Sequence, residues 1–597
     1  MQPARSSRPR FFAAKSPPGA RRATTASIAI GACVLGAGCF VGDQALAPPD
    51  NAFYYPTALV RSPGGSTLYV ANSDFDLQYD GGTVLALDLV KLRARIANLL
   101  KTLREIGPGS ATTVRDACVT TCGRHDPLFC SFKGVDLKTN TNTILNPGPC
   151  LAIPLDEAQI DLAHPDANVP IPSATIGAFA SAAVFVRRHG TPASRLFLPV
   201  RGDPSITFLD VNDDAATATF EGTLDCTGSG RNSPGERCDN KHRVGVEPFE
   251  STRAIILPTE PVGISASEDG TAILVAHQTE KSVSLTIDNP GQLTPTVDGK
   301  LTPDKPTLEF VLGGLPDGPT DVTAVPIPKL FRDRVEKAPT DSKLTPIDYQ
   351  RGFLVTYRAS PVVDLIRVHK DESGTSRPFL TRSNQTSIGV NADGKDSRGI
   401  AIDPDARQRC ETACSVSDNA CLLACLDVPI DIYIANRTPP SLLVGRLETS
   451  VIPEGSSDPT AALDRVFITD SIPLSFGASH VVKGDVIDPE GNLSRRIFAG
   501  AFDSRLVFSY DPKARRVDAV IKTGRGPQAL VLDTDLQKAI LPGPAADPTA
   551  TKGHSFLIIG HFTDSYLGVV DLDMRHPQTF GTMFASVGTP TPPKASK

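Results

Sequence analysis

The stretch PTALVRSPGGSTLYVAN, residues 56–72, has the composition of a β-hairpin. Two apolar runs flank the turn residues Gly64 and Gly65, and the second run closes on Asn72. β-Branched and aromatic residues favour strands, and paired glycines favour the turn between them. The stretch PVGISASEDGTAILVAH, residues 261–277, aligns with it without a gap, matching Pro with Pro and glycine with glycine. Two ordered copies so far apart in the chain predict a repeat architecture.

Five looser copies follow the same plan. They lie after residue 193 and begin at Ser194, Arg351, Asp431, Arg495 and Gly526. Seven hairpins with turn signals, several continued by a strand that ends near an aspartate, predict an all-β fold built as a seven-bladed β-propeller. The composition agrees, because 52 Pro and 48 Gly provide many turns and 40% hydrophobic residues allow a large core.

Two tetrapeptides, YVAN (residues 69–72) and YIAN (residues 433–436), resemble the repeat of the YVTN-type, lactonase-like seven-bladed propeller family. The resemblance covers most of the chain after about Phe53. It implies a propeller over residues 54–590, a short tail at 591–597, and insertions that break the family's spacing near 101–170, 212–255, 404–428 and 450–475. The chain has no Trp, which disfavours WD-repeat and Asp-box propellers and excludes a tryptophan-derived quinone cofactor.

The N-terminus has the order of an export signal. Its first 22 residues carry six basic side chains and no acid, and the uncharged stretch 23–42 follows. The motif LGAGC resembles a bacterial lipobox, which predicts a signal peptide at 1–38, a lipid on Cys39 and a linker over 39–53. Cys33 is a rival lipid site, and a plain signal peptide or an uncleaved membrane anchor are the alternatives. Because Phe40 and not an aspartate follows Cys39, we expect the outer membrane of the cell envelope.

The net charge of the chain indicates which class of partner it can bind. Without the six basic charges of the leader, the net charge of −6 becomes −12. A body this acidic repels phosphate backbones, so we expect no nucleic-acid partner.

Cysteine positions support export. Ten of the 12 cysteines remain after Cys33 and Cys39, and they fall in three even-numbered clusters. Local pairs of this kind predict disulfides formed in an oxidising compartment. Zinc is the alternative for the last cluster, although structural zinc sites favour shorter spacings. No CxxCH motif for covalent haem occurs, and we predict no cofactor and no metal. The candidate disulfide cysteines are Cys118, Cys122, Cys130 and Cys150; Cys226 and Cys238; and Cys410, Cys414, Cys421 and Cys425.

One segment has helical periodicity. Residues 89–107 place apolar side chains at intervals of three and four on one face, with basic residues elsewhere. We expect an inserted amphipathic helix that packs this stripe on the outside of a blade. The alternative is a helix lying on an anionic membrane surface.

The repeat alignment also gives a candidate site. Equivalent positions in the blades of a propeller lie on one rim, so we expect their polar side chains to lie close together. A metal site or a general base requires such a grouping of polar side chains. The alternative is that they satisfy backbone groups of turns. The possible rim site comprises Asn72, His277, Tyr357, Asn436 and His561.

A second candidate is a cluster of three aspartates, Asp74, Asp76 and Asp80. Their carboxylates could bind calcium, and the alternative is that they belong to a solvated loop.

Two functions remain open. The first is a non-enzymatic, envelope-anchored lipoprotein whose propeller is a binding scaffold for a protein or glycan partner. The second is a lactonase-like hydrolase or lyase with its site on the rim carrying His277 and His561, by analogy of fold. The sequence favours the first, since it contains no Walker loop, dinucleotide-binding glycine motif, nucleophile elbow or HExxH motif.

Overall fold

The hairpin copies form separate antiparallel sheets in the computed structural model of this protein. The structure describes residues 46–588 except for 106–130, 137–140, 148–150, 157, 159–169, 189–192, 252, 289–292, 296–300, 304, 332–349, 370–377, 390–394, 416–417, 452–461, 540–551 and 578. The predicted leader, Cys33, Cys39 and the tail 591–597 therefore lie outside the described residues. From Ala47 onwards the described chain belongs to one compact unit. None of its helices has the length and hydropathy needed to cross a bilayer.

The first half of the chain contains 15 strands and one α-helix in the described ranges. In order they are β1 (Pro56–Arg61), β2 (Thr67–Asn72), β3 (Gly82–Asp88), α1 (Leu89–Glu105), β4 (Ser131–Asp136), β5 (Thr141–Pro147), β6 (Leu151–Ile153), β7 (Ser173–Ile176), β8 (Val184–Val186), β9 (Ala193–Val200), β10 (Ser205–Asn212), β11 (Glu236–Arg237), β12 (Arg243–Val244), β13 (Pro261–Ala266), β14 (Ala272–His277) and β15 (Ser282–Ile287). Single-turn 3₁₀ helices cover Asn240–His242 and Pro248–Glu250.

The second half continues the same pattern. Its elements are β16 (Leu293–Pro295), β17 (Leu301–Pro303), β18 (Thr307–Leu312), β19 (Pro319–Ala324), β20 (Gly352–Tyr357), β21 (Val362–His369), β22 (Phe379–Ser387), β23 (Lys395–Asp403), α2 (Asp405–Ala413), α3 (Asn419–Cys425), β24 (Ile430–Thr438), β25 (Pro440–Val451), β26 (Ala462–Pro473), β27 (Ala478–Ile487), β28 (Leu493–Ala501), β29 (Leu506–Asp511), β30 (Arg516–Lys522), β31 (Pro527–Ala539), β32 (Lys552–His561), β33 (Tyr566–Asp571) and β34 (Met583–Val587).

Seven sheets of four or five strands form the blades, which confirms the predicted all-β seven-bladed propeller. From the central channel outwards, their strand orders are β1-β2-β3-β7-β11, β8-β9-β10-β12, β13-β14-β15-β18, β19-β20-β21-β22, β23-β24-β25-β26, β27-β28-β29-β30 and β31-β32-β33-β34-β6. Residues 462–473 pair along β25 as the outer strand of blade 5. The insertion predicted at 450–475 is therefore in part a blade strand.

The ring closes between blades 7 and 1. Strand β6 leaves the first-blade insertion and pairs in parallel with β34, at the outer edge of blade 7. Helix α1 follows β3 directly and buries Leu92, Ile96 and Leu100 in an apolar cluster shared by blades 1 and 7. This confirms the inserted amphipathic helix and the packing of its apolar stripe against blades.

Three disulfides confirm pairing within two of the three cysteine clusters. Cys226 joins Cys238, Cys410 joins Cys425, and Cys414 joins Cys421. The last two hold helices α2 and α3 against each other and reinforce a small apolar cluster that the hairpin shares with Ile327, Leu330 and Phe331. Three of its sulfur atoms lie within 4.8 Å of one another. As disulfides they do not offer the thiolates that zinc needs. The predicted partners among Cys118, Cys122, Cys130 and Cys150 lie outside the described residues.

Candidate functional site

A cavity of about 560 Å³ opens where the innermost strands of the blades begin. This volume is within the roughly 300–1,000 Å³ typical of small-molecule sites. In six blades the innermost strand starts with an irregularity in its pairing, and such bulges redirect a side chain. The redirected residues all line the cavity; they are Thr57, Val262, Thr320, Arg398, Ser479 and Gln528.

The residue after each redirected one lies where the innermost strands of neighbouring blades pack closely around the channel. A Cβ on Gly263 would lie 2.5 Å from the carbonyl oxygen of Thr320, and one on Gly399 would lie 2.9 Å from the Cα of His480. Alanine or glycine therefore occupies this level in four of these six blades. The exceptions are Asp321 in blade 4 and His480 in blade 6, on either side of Gly399.

Both exceptions are ionisable and both line the cavity. The Asp321 carboxylate accepts backbone hydrogen bonds from Ile400 at 3.1 Å and from Val322 at 2.9 Å, and burial raises its pKa to about 6. Burial lowers the pKa of His480 to about 4, so this imidazole is neutral at pH 7. The cavity thus holds a carboxyl group that titrates near neutrality and an uncharged imidazole, on the two sides of blade 5.

A ring of residues in left-handed backbone conformation surrounds the mouth. Each blade has one residue with a positive φ at or near the start of its innermost strand, and we call these seven positions the collar. Five of them directly precede the strand, Phe179 precedes Ala180, which forms an isolated bridge with Val200, and Asp396 is the second residue of β23. Three are glycines, which adopt this conformation freely, whereas each of the other four costs about 1–3 kcal/mol. The collar residues are Tyr55, Phe179, Glu260, Gly318, Asp396, Gly477 and Gly526.

The collar positions the next ring of side chains. In blade 3 the carbonyl of Glu260 accepts the N–H of Gln278 at 3.1 Å, and in blade 4 that of Gly318 accepts the N–H of Arg358 at 2.7 Å. The acceptor is the collar residue, and the donor is the residue after the blade's second strand. The bond recurs in six blades, with donors Ser73, Arg201, Gln278, Arg358, Phe502 and Phe562.

Four arginines belong to this mouth. Arg201 pairs with Glu260 at 2.8 Å, and hydrogen bonds from Thr279 and Arg201 lower the pKa of that glutamate. The other three surround Asp396, and Arg437 also contacts Asp503. Their distances to the Asp396 carboxylate are 2.5 Å for Arg398, 3.9 Å for Arg437 and 4.0 Å for Arg358. These acids hold guanidinium groups side by side at the entrance of the cavity.

The five residues of the predicted rim site occupy one equivalent position in their blades. Four of them pair in the β-ladder with the first residue of the innermost strand, and Asn436 pairs with Ser397. All five are buried and none lines the cavity. Their contacts lie within their own blade or its adjoining loop: Asn72 donates to Thr83 at 2.9 Å, His277 Nε2 contacts Ser284 at 2.8 Å, Tyr357 donates to Asp364 at 2.6 Å, Asn436 donates to the Pro439 carbonyl at 2.9 Å, and His561 accepts from the Gly524 N–H at 3.0 Å.

The electrostatics of the two histidines agree with this placement. Burial lowers the pKa of His277 to about 4 and that of His561 to about 3. The cavity receives instead the residue one place further along, such as Arg201, Gln278, Arg358 and Arg437. The repeat alignment contained these residues, but it offered no sign of which neighbour points inward.

The aspartates proposed for calcium bind groups of the protein. Asp74 accepts the N–H of Tyr79 at 3.1 Å, Asp76 accepts the hydroxyl of Tyr55 at 3.2 Å, and Asp80 pairs with Arg237 at 3.0 Å. In the described part of the chain, the only trio of Cys, His or acidic side chains with ligand atoms inside 4.8 Å of one another is the cysteine group above.

Comparisons with known proteins identify no family for this chain. No protein-family model matches the chain, and no curated protein does. Among solved structures, hydrazine synthase from Kuenenia stuttgartiensis superposes with a TM-score of 0.38 at 10% identity, over 89% of this chain and 99% of that chain. The periplasmic gluconolactonase of Pseudomonas aeruginosa superposes with a TM-score of 0.36 at 14% identity, over 73% of this chain and 92% of that chain. At these scores neither likeness carries an argument about activity, and the chain is assigned a propeller fold by its own sheet topology.

Proposed function

We propose that this chain is a non-enzymatic, envelope-anchored lipoprotein, held through Cys39, whose propeller binds an acidic protein or glycan partner at the mouth of the channel. The observation that carries the proposal is the grouping of Arg358, Arg398 and Arg437 around Asp396. Guanidinium groups bind carboxylates through paired N–H donors, and each offers five such donors. One aspartate cannot accept from all of them, so donors remain for an acidic ligand.

The geometry of the pairs supports this. Arg358 is about half exposed, with 51% of its side chain accessible, and it lies farthest from Asp396. Arg398 and Arg437 are less exposed and are fixed by closer acids. Arginines already held in place lose little side-chain entropy on binding, which favours affinity.

Titration of the detergent-solubilised full chain with two acidic probes, a uronate oligosaccharide and a polyglutamate peptide, tests the proposal. Arg358→Gln combined with Arg437→Gln should weaken binding at least about tenfold, because charge-assisted hydrogen bonds contribute about 1.5–3 kcal/mol each. Arg409→Gln, which removes an exposed arginine from helix α2, is the matched control. Binding that survives the double substitution would refute the proposal.

The second candidate function is a lactonase-like hydrolase. Since His277 and His561 are buried and hydrogen-bonded, its acid and base would be Asp321 and His480, the carboxyl and imidazole groups that line the cavity. A carboxyl group with a pKa of about 6 is suited to proton transfer near neutral pH. Hydrolysis of simple lactones that disappears in Asp321→Asn, with the fold intact, would favour the enzyme over the scaffold.

A further inference from the structure

Five aromatic rings form a continuous arc on the other side of the mouth; we call Tyr55, Phe75, Phe179, Phe502 and Phe562 the aromatic arc. Neighbouring centroids lie 6.1 Å apart for Phe502 and Phe562, 5.2 Å for Phe562 and Phe75, and 6.0 Å for Phe75 and Phe179. Tyr55 contacts Phe562 at 5.0 Å and Phe75 at 5.9 Å. Phe75 at the centre of the arc is 53% exposed.

The arc is held in place by the backbone. Tyr55 and Phe179 are collar residues, with φ of 49° and 61°. Phe502 and Phe562 donate their N–H groups to the collar glycines Gly477 and Gly526, at 2.9 and 2.8 Å. Strained backbone clusters at functional sites, and here it positions two half-buried aromatic side chains at the mouth. A glycine at position 55 or 179 would remove the strain, so the aromatic side chain has a role that the fold alone does not require.

The arc meets the arginines at both ends. Phe502 lines the cavity, and its neighbour Asp503 pairs with Arg437. At the other end, Phe179 accepts the N–H of Arg201 through its carbonyl at 3.3 Å. One side of the mouth is therefore aromatic and the other cationic, and a ligand that covers both has an apolar face and an acidic group.

Apart from Asp321 and His480, the cavity lining between them is polar and uncharged. It presents four hydroxyls and two carboxamides, from Thr57, Ser181, Thr320, Ser479, Gln278 and Gln528. Such groups orient a ligand that carries many hydroxyls of its own. A sugar ring has this chemistry, since its C–H face stacks on an aromatic ring and its hydroxyls form hydrogen bonds. The four hydroxyls donate to backbone carbonyls, so their oxygens can accept hydrogen bonds from ligand hydroxyls, which a sugar has and a glutamate side chain lacks.

We propose that the ligand of the mouth is an acidic carbohydrate, with a sugar ring stacked on Phe75 of the aromatic arc and a carboxylate held by the arginines. This inference rests on the proposed function, because it requires that the arginines bind an acid. It adds the class of partner and the surface that selects it.

The absence of tryptophan from the chain provides a specific probe. Phe75→Trp introduces a single indole at the centre of the arc, and Phe249→Trp places one at a site outside the arc that is also exposed, by 66%. In the full-length protein, a uronate oligosaccharide should shift the emission of the first indole and leave the second unchanged. Polyglutamate should shift neither.

Affinity provides the second measurement. Phe75→Ala should weaken uronate binding about fivefold, which is the size of one aromatic contact, while Phe249→Ala leaves it unchanged. Polyglutamate affinity should not respond to Phe75→Ala. A response of polyglutamate in either assay would show peptide docking and overturn the inference, as would uronate binding that ignores Phe75. If neither probe binds the parent protein, the proposed function itself fails. If the binding of both probes depends on Arg358 and only the Phe75 variants show no effect, this inference alone fails.

Discussion

Arg93 of the first blade's inserted helix donates two hydrogen bonds to Asp533 of the last blade, from Nε to Oδ2 at 2.7 Å and from Nη2 to Oδ1 at 2.6 Å. Arg61 adds a third at 3.0 Å, and the imidazole of His554 lies 3.5 Å from the same carboxylate. Asp533 is almost fully buried, and these partners lower its pKa far below the ordinary value although burial opposes them. One carboxylate thus joins the two ends of the ring.

Asp533→Asn should lower the free energy of unfolding by about 3–5 kcal/mol, because it leaves two arginines without their buried counter-charge. Chemical denaturation measures this difference. Asp470→Asn, which breaks an exposed pair with Arg515, should leave the midpoint almost unchanged. Equal effects of the two substitutions would contradict the role assigned to Asp533.

Acid should destabilise the protein through three histidines, the buried His277 and His561 and the half-buried His480. Their folded pKa values are about 4, 4 and 3, below the ordinary 6.5. Between pH 6.5 and 4 the unfolded chain binds protons that the folded chain does not, so stability falls as the pH falls. Asp321, with its pKa raised to about 6, acts in the opposite direction over the same range.

His561→Gln separates these contributions. It should reduce the loss of stability between pH 7 and pH 5 by about 2 kcal/mol, whatever it does to stability at pH 7. Urea unfolding at the two pH values gives the difference. An unchanged pH dependence would mean that His561 is accessible to protons in the folded state.

Gly399→Ala should lower stability by about 1–3 kcal/mol, because its Cβ would lie 2.9 Å from the Cα of His480 and from the backbone nitrogen of Val481. The thermal midpoint reports the change. Gly313→Ala is the matched control, since a Cβ there meets nothing within 4 Å. A neutral Gly399→Ala would show that blades 5 and 6 have room to separate.

Replacing Cys226 and Cys238 together by Ser should lower stability by about 2–3 kcal/mol, as expected for a loop with a sequence separation of 12. The propeller should remain folded, because its blades are joined by strands and apolar packing. Far-ultraviolet circular dichroism checks this. Peptide mapping without reductant should also find Cys118, Cys122, Cys130 and Cys150 paired among themselves; free thiols there would contradict the disulfide assignment and weaken the case for export.

Labelled fatty acid should enter the protein in cells, and Cys39→Ser should abolish the label. Cys33→Ser is the control, because Cys33 has the shorter apolar run before it. Labelling that follows Cys33 would move the anchor, and it would leave Cys39 as an unpaired thiol of the mature chain.

The sequence predicted the blades well because the hairpin pattern is local. Turn glycines and apolar runs specify β1 and β2 without knowledge of the rest of the fold. The outer strand at 462–473 was missed because its alternating polar residues resemble an insertion. Ring closure by the three residues of β6 depends on a contact with β34 more than 400 residues away, which no local pattern reveals.

The candidate site was displaced by one residue for a similar reason. Alternation along a strand sends neighbouring side chains in opposite directions, and each bulge shifts this alternation. Asn72 and its equivalents therefore lie inside the blades, whereas Arg358 and Gln278 reach the cavity. An alignment identifies equivalent positions, but it does not identify the direction of a side chain.

At the collar, the requirements of stability and of ligand binding oppose each other. Glycine at Tyr55, Phe179, Glu260 or Asp396 would relax a left-handed backbone, as it already does in the other three blades. Selection of this protein for heat resistance would therefore favour glycine at the very positions whose side chains surround the mouth. Laboratory evolution would produce a more stable propeller that lacks the side chains surrounding the mouth. The order in which these four residues were replaced would rank their importance for binding the natural ligand.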